Sequence, residues 1–246
     1  RASTSHSSFE SDGEDTIGVS TADAAAWSQR LTDPSEPDSK SAMEYLVAER
    51  GVKPEVLDYL QVGLAEASEL PGSTGTSHPD ADLYIEWWIT IPVFDEDEEA
   101  VEAIKLFAFD PEARDWQRNE QGEKLPKIIG SATLLDPEIA EMDFGSREQP
   151  LLLVEGEIDL LSALSHGFDA LTGTGGAKTW KPSMTNQVAR KNRALIVCYD
   201  GDEAGRKGAR KVGAKLAQSG TDVQIAPLPD GKDVNDLLLQ GGSEAL

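Results

Sequence analysis

Three times after Pro150 the chain repeats one pattern: a short apolar run, an acidic residue beside a glycine, then a stretch with helical spacing. The run LLLV leads into Glu155-Gly156, and ALIVCY leads into Asp200-Gly201-Asp202. VQIAP leads into the turn Pro229-Asp230-Gly231, with Asp233 behind it. An apolar run without polar alternation has both faces to bury, which is the situation of a strand inside a parallel sheet. The intervening segments keep the helical period. Glu157–Ser165 carries Ile158, Leu161 and Leu164, Glu203–Gln218 is a basic helix, and a last helix runs from Val234 to Gln240. Strands joined by helices cross over in one hand and leave helices on the sheet faces. Residues 150–246 are therefore expected to form an α/β domain, a Rossmann-like parallel sheet flanked by helices.

The chain upstream has a different texture. Residues 1–40 are rich in Ser, Thr, Asp and Glu with little aliphatic periodicity and read as a disordered acidic tail. Order is expected from Ser41, where Ala42, Met43, Tyr45 and Leu46 begin a helix that Gly51 ends; a second helix follows Pro54. Leu83–Val93 and Val101–Phe109 read as strands around an acidic turn at Asp95–Glu99. Glu69–Pro79 reads as a loop, and Trp116–Lys127 as polar and irregular. Residues 41–149 are thus expected to be a smaller α+β subdomain preceding the sheet domain.

Composition excludes several classes. One cysteine and three histidines rule out a disulfide scaffold and a zinc ribbon. No apolar run approaches the roughly 20 residues that cross a bilayer, and no secretory leader opens the chain, so a cytoplasmic protein excised from a longer one is expected. A net charge of −23 looks hostile to nucleic acid, yet Lys178–Lys215 holds 10 basic residues against Asp200, Asp202 and Glu203, net +7. Nearly half of the positive charge sits around one acidic cluster.

In a parallel α/β sheet, ligands bind beyond the carboxyl ends of the strands. Glu155, Asp200, Asp202 and Asp233 all fall there, and Asp159 lies one helical turn after Glu155. Taken singly, each acid reads as a helix cap or turn former. Taken together, Glu155, Asp200 and Asp202 read as a site for hard divalent cations, which take carboxylate oxygens and support phosphoryl chemistry. The loop Leu171–Thr179 only superficially suggests an NTPase phosphate loop. Ala177 and Thr172 stand where that motif needs glycine, so it reads as a glycine-rich strand-to-helix turn, with Lys178 placed to meet a phosphate. Cys198 reads as core, and of Trp87 and Trp88 at least one is core while the other is a candidate base-stacking residue.

VEGEIDLLSAL, VCYDGDEAGRKGARK and LPDGKDVNDLL, in this order, resemble the TOPRIM domain of DNA primases and phage-type primase-helicases. KDVNDLL resembles the phage form, with Asn235 where bacterial primases carry a second aspartate, and GTGGAKTW resembles the phage glycine turn. Upstream, AMEYLVAERGVKPEVLDYLQVG, ITIPVFD and KLPKIIGS resemble parts of the primase RNA-polymerase domain.

The resemblance implies a primase core that makes short RNA primers on single-stranded DNA from ribonucleoside triphosphates by two-metal nucleotidyl transfer. Glu155, Asp200 and Asp202 would bind catalytic Mg²⁺ or Mn²⁺, with Asp159 and Asp233 as supporting acids. Lys105 and Lys127 would hold triphosphate or template. Arg206, Lys207, Arg210 and Lys211, at i, i+4 spacing on one helix face, would contact the nucleic-acid backbone. A replicative helicase or a zinc-binding domain elsewhere would be partners, and no membrane is involved. The alternatives are a TOPRIM nuclease using the same acids, or a non-catalytic replication-accessory module. A topoisomerase fragment is disfavoured because the residues before the boundary leave no room for a separate tyrosine-bearing domain.

Overall fold

Leu151 and Leu153 face one way along their strand, and Leu152 and Val154 the other; both sets are buried, so the strand needs cover on both sides. The computed structural model, which describes residues 17–71, 85–95, 97–111, 127–137 and 149–246, supplies that cover. Five strands form the C-terminal sheet: β5 (Leu134–Leu135), β6 (Leu151–Val154), β7 (Ala170–Gly173), β8 (Leu195–Cys198) and β9 (Val223–Ile225). Their order is β5-β7-β6-β8-β9, parallel except for β5, which pairs antiparallel with β7. Helices α4 (Glu157–Ser165), α5 (Pro182–Arg190), α6 (Glu203–Gln218) and α7 (Val234–Gly241) connect and follow these strands. Leu160, Leu161 and Leu164 of α4 and Val234 and Leu238 of α7 pack with Leu152 and Val154. Met184 and Val188 of α5 and Val212 and Leu216 of α6 pack with Leu151 and Leu153. The sheet is doubly wound, as its sequence pattern requires.

The N-terminal sheet is antiparallel throughout, in the order β1 (Gly63–Glu66), β2 (Trp87–Phe94), β3 (Val101–Phe107) and β4 (Ile128–Gly130). Asp95 closes the β2–β3 turn, its Oδ1 accepting the N–H of Glu99 at 2.8 Å. Trp88 is fully buried, whereas Trp87 is half-buried beneath the Arg30 guanidinium, 5.4 Å from the ring centre. Around this sheet lie α1 (Thr21–Leu31), α2 (Pro37–Met43), a π-helical turn at Glu44–Glu49 and α3 (Pro54–Tyr59).

Helix α1 corrects the expectation of a tail to residue 40. Ser20 caps it, accepting the Asp23 N–H at 3.2 Å while Asp23 accepts the Ser20 N–H at 2.9 Å, and Ala24, Trp27 and Leu31 bury its inner face. Order thus starts well before Ser41; residues 1–16 of the expected tail lie outside the described residues, as do most of the loop before β2 and residues 112–126. Strand β5 lies upstream of the boundary expected at 150, so the second sheet recruits chain from before it. The largest core cluster also runs across that boundary, joining Leu46, Leu57 and Ile91 to Leu160, Val154 and Leu238. Lys53 donates its N–H to Ser165 Oγ at 2.9 Å, and Gly51 sits so close to Leu239 that a methyl there would fall 2.8 Å from its Cδ2. Among the described residues, no helix is long and apolar enough to cross a membrane.

Candidate active site

The chain reverses its direction of travel across the sheet between β6 and β8. From β6 it passes to β7 on one side; β8 and β9 then build the other side. The loops leaving β6 and β8 therefore diverge and open a crevice at their carboxyl ends. Glu155 directly follows β6 and Asp200 lies two residues past β8, on strands paired Val154 to Cys198. Neighbouring strands are about 4.8 Å apart, which puts the Glu155 side chain within reach of the Asp200 loop. Glu155 Oε2 accepts the Asp200 N–H at 3.2 Å.

Glycines make the crevice tight. A Cβ on Gly205, in the first turn of α6, would fall 2.8 Å from Glu155 Oε2 and collide with the Asp200 carbonyl. Bare backbone there lets the positive end of a 16-residue helix approach the carboxylate. A Cβ on Gly201 would collide with the Pro229 carbonyl, because the third acidic loop is laid directly on the second. Gly201 donates its N–H to Lys232 O at 2.7 Å, and Gly231 donates to Gly201 O at 3.1 Å. Asp233 is thereby brought to the same rim.

The acids feel one another. Burial, then the charges of Glu155, Asp233, Asp202 and Asp236, push Asp200 up to about 7. Glu155 is also raised, chiefly by burial; its bond from the Asp200 amide opposes the shift and the charge of Asp202 adds to it. Asp202 caps α6 by accepting the Gly205 N–H at 2.6 Å, and Asp233 caps α7 by accepting the Asp236 N–H at 2.6 Å. The cap role and the rim position thus fall on the same residues. Two bases of the neighbouring loops are paired with other acids, Arg206 with Asp230 at 3.0 Å and Lys232 with Asp236 at 3.7 Å. Among the described residues, no three of these side chains already stand in a ligating arrangement. The donor set of carboxylate oxygens, drawn together and mutually repelled, nevertheless suits a hard divalent cation, which would relieve the repulsion.

Other expected site residues fall differently. Asp159 is 7% exposed and sits behind the rim, its Oδ1 accepting the Asn235 N–H at 3.0 Å, while burial holds its pKa well above the usual range. It braces the third loop. Asn235, fully buried, donates Nδ2–H to Arg50 O at 2.7 Å and accepts from Arg50 Nη1 at 3.3 Å, locking that loop to the N-terminal region. Lys105, expected at a triphosphate or template, is paired at 2.9 Å with buried Glu157. Lys127 is exposed on the approach to β4; burial raises the pKa of Glu157, and the charges of Lys105 and, more weakly, Lys127 oppose that rise. Lys178, Lys207, Arg210 and Lys211 are exposed, and Arg206 is half-exposed. A methyl on Gly208 would lie 2.7 Å from Ala177 Cβ, so the glycine loop bearing Lys178 rests on α6 beside these bases. Cys198 is core, its thiol pushed up to about 12 by burial.

Sequence reasoning passed over Glu157 and Arg50, and read Asn235 only as a departure from the acidic pattern. For Glu157 a signal existed. It stands three, four and seven residues before Leu160, Leu161 and Leu164, which places it on the buried face of α4.

Residues 152–238 match the Toprim-like family. The DNA primase of Geobacillus stearothermophilus is 36% identical over 101 residues, covering 40% of this chain and 16% of that protein. The DNA primase of Chlamydia trachomatis is 22% identical over 241 residues, covering 85% of this chain and 37% of that protein. The crystal structure of the RNA polymerase domain of Mycobacterium tuberculosis primase, with a double-stranded DNA oligomer bearing a 6-nucleotide overhang, superposes with TM-score 0.62 at 22% identity. That superposition covers 94% of this chain and 78% of that one. The chain spans well under half the length of the primases it matches. The parallel sheet with its acidic rim thus lies in the part of the chain that matches the Toprim-like family, and the chain has the fold of solved primase RNA-polymerase domains.

Proposed function

We propose that this chain is the catalytic core of a DNA primase, joining ribonucleotides into short RNA primers on a single-stranded DNA template. A 3′-hydroxyl would attack the α-phosphate of the incoming triphosphate, forming one P–O bond as pyrophosphate leaves. The observation that carries this reading is the contact of Glu155 with the Asp200 loop at the switch point of the sheet, where the charges of Glu155, Asp233 and Asp202 help to raise Asp200. Glu155, Asp200 and Asp202 would hold Mg²⁺ or Mn²⁺, with Asp233 beside them. Such a cation, when bound, lowers the pKa of an attacking hydroxyl and offsets charge in the transition state. Lys178, Arg206, Lys207, Arg210 and Lys211 would track template phosphates, and Lys127 the triphosphate or template. The chain would work with the replication machinery in the cytoplasm, with a helicase or a zinc-binding domain supplied from elsewhere.

The test is incubation of the chain with single-stranded DNA, labelled ribonucleoside triphosphates and Mn²⁺ or Mg²⁺. Label in short RNAs is expected. Degradation of the DNA without incorporation would transfer the site to a nuclease. Binding of DNA with neither activity would make the chain an accessory module.

A further inference from the structure

A carboxyl and an ammonium are buried against each other immediately behind the acidic rim. Glu157 opens α4 two residues after Glu155 and is 3% exposed. Its Oε1 lies 2.9 Å from Nζ of Lys105 on β3, with side-chain exposures of 4% and 12%. The same Nζ donates to the Thr174 carbonyl at 2.8 Å, at the start of the glycine loop. Thr174 is itself fastened to Thr133, donating its N–H to Thr133 O at 3.0 Å and accepting the Thr133 N–H on Oγ1 at 3.0 Å. One ammonium therefore joins the N-terminal sheet, the turn that presents Glu155 and the loop that carries Lys178.

A buried pair of this kind matters by what its loss exposes. Removing one partner leaves an uncompensated charge in a dry site, whereas the intact pair fixes the geometry of whatever it bridges. An ammonium already neutralised and bonded to a carbonyl is also poorly placed to take a triphosphate.

We infer that Lys105 and Glu157 are a positioning pair for the metal site, holding the Glu155 turn and the glycine loop in register, and that Lys105 does not contact the nucleotide. This rests on the reading of Glu155, Asp200 and Asp202 as the cation ligands.

The test is a double-mutant cycle of Lys105→Met and Glu157→Gln in the full chain. It is read by calorimetric Mn²⁺ titration without nucleotide, by kcat and KM for ribonucleotide incorporation, and by hydrogen exchange of the amides at 174–178. Each single change is expected to weaken Mn²⁺ binding at least about fivefold and lower kcat, with KM for the nucleotide within about twofold and loop exchange faster. The double change is expected to be no worse than the worse single, because the two residues act as one unit. A roughly tenfold rise in KM in Lys105→Met, with Mn²⁺ affinity and exchange unchanged, would overturn the assignment in favour of a triphosphate contact. Additive losses in the double variant would also overturn it. Should Lys105→Met fail to fold, Glu157→Gln, which keeps the side-chain volume and an acceptor, decides alone by the same readouts. If the wild-type chain neither binds Mn²⁺ nor incorporates nucleotide, the primase reading fails. Exchange then decides the pair by itself, and unchanged loop amides in Glu157→Gln would sink it.

Discussion

The two sheets are built to opposite ends. In the antiparallel sheet of the N-terminal region, Trp88, Ile89, Ile91, Ile104 and Leu106 are fully buried, and its cation Lys105 is spent internally. In the parallel sheet the apolar residues stop where the strands stop, and Glu155, Asp200 and Asp202 follow at once. One sheet spends its side chains on packing. The other uses its carboxyl end to force like charges together, at the expense of its own metal-free stability. A parallel sheet with a switch point offers such a crevice; an antiparallel meander offers none.

The sharpest division between the two is expected from Asp200→Ala/Asp202→Ala. Losing two of the proposed ligands at once should lower primer synthesis at least about 1,000-fold, measured as labelled nucleotide incorporated per enzyme, while the chain still melts cooperatively. Equal activity in variant and wild type would end the metal assignment. Trp88→Ala should do the reverse. It should cost about 3 kcal/mol of stability in a denaturant titration, with Mn²⁺ affinity of the folded fraction unchanged. Loss of Mn²⁺ affinity there would show that the N-terminal core, and not Lys105 alone, holds the rim in shape.

How far the sequence carried these conclusions depended on whether local pattern and burial agreed. The elements β6, α4, β8, α6 and α7 were legible because apolar runs, glycine turns and helical spacing all pointed the same way. Strand β7 was hidden because Ala170-Leu-Thr-Gly173 merges into a glycine loop, although all four residues are buried. Helix α5 was hidden because only Met184 and Val188 mark its inner face in an otherwise polar stretch. Helix α1 was lost to composition: an acidic, serine-rich segment read as tail, although Ser20 and Asp23 spell a capping box ahead of Trp27. At the site, the rim acids could be read from their position after strands. Whether a charged residue points out or in could not, and that separates Lys127 from Lys105. Asn235 likewise looked like a departure from the acidic pattern, and its value lies in an amide that both donates and accepts across 185 positions of chain.

Gly201→Ala probes the seam between the second and third acidic loops. The added methyl collides with the Pro229 carbonyl, so about 2 kcal/mol of destabilisation is expected in thermal melts, with Asp233 displaced from the rim. Unchanged stability and Mn²⁺ binding would mean that the loops are not held as one piece.

Asp200 makes the parallel sheet pH-sensitive. Its pKa, raised from 3.8 to about 7, means that the folded state holds the proton more tightly than the unfolded one. Ionising it weakens the metal-free fold as pH rises through that window, and protonation competes with a cation below about 7. Mn²⁺ affinity should therefore rise about tenfold, about 1.4 kcal/mol, between pH 6 and pH 8, read by calorimetry. Asp200→Asn should flatten that profile and make the metal-free protein more stable at pH 8 than wild type.

The smallest effect is expected on the outer face of α6. Arg210→Ala/Lys211→Ala should weaken single-stranded DNA binding less than about tenfold and reduce the slope of log affinity against log salt by roughly 1.4. An unchanged slope would return these bases to simple solvation.

The core cluster that runs from Leu46 and Ile91 into Leu160 and Leu238 has a mechanical consequence. Two regions that share one interior cannot part like jaws without exposing it to water. On the proposed function, a template would be drawn across a preset surface, and progress from one nucleotide to the next would come from the strand moving, with the protein standing still as an anvil.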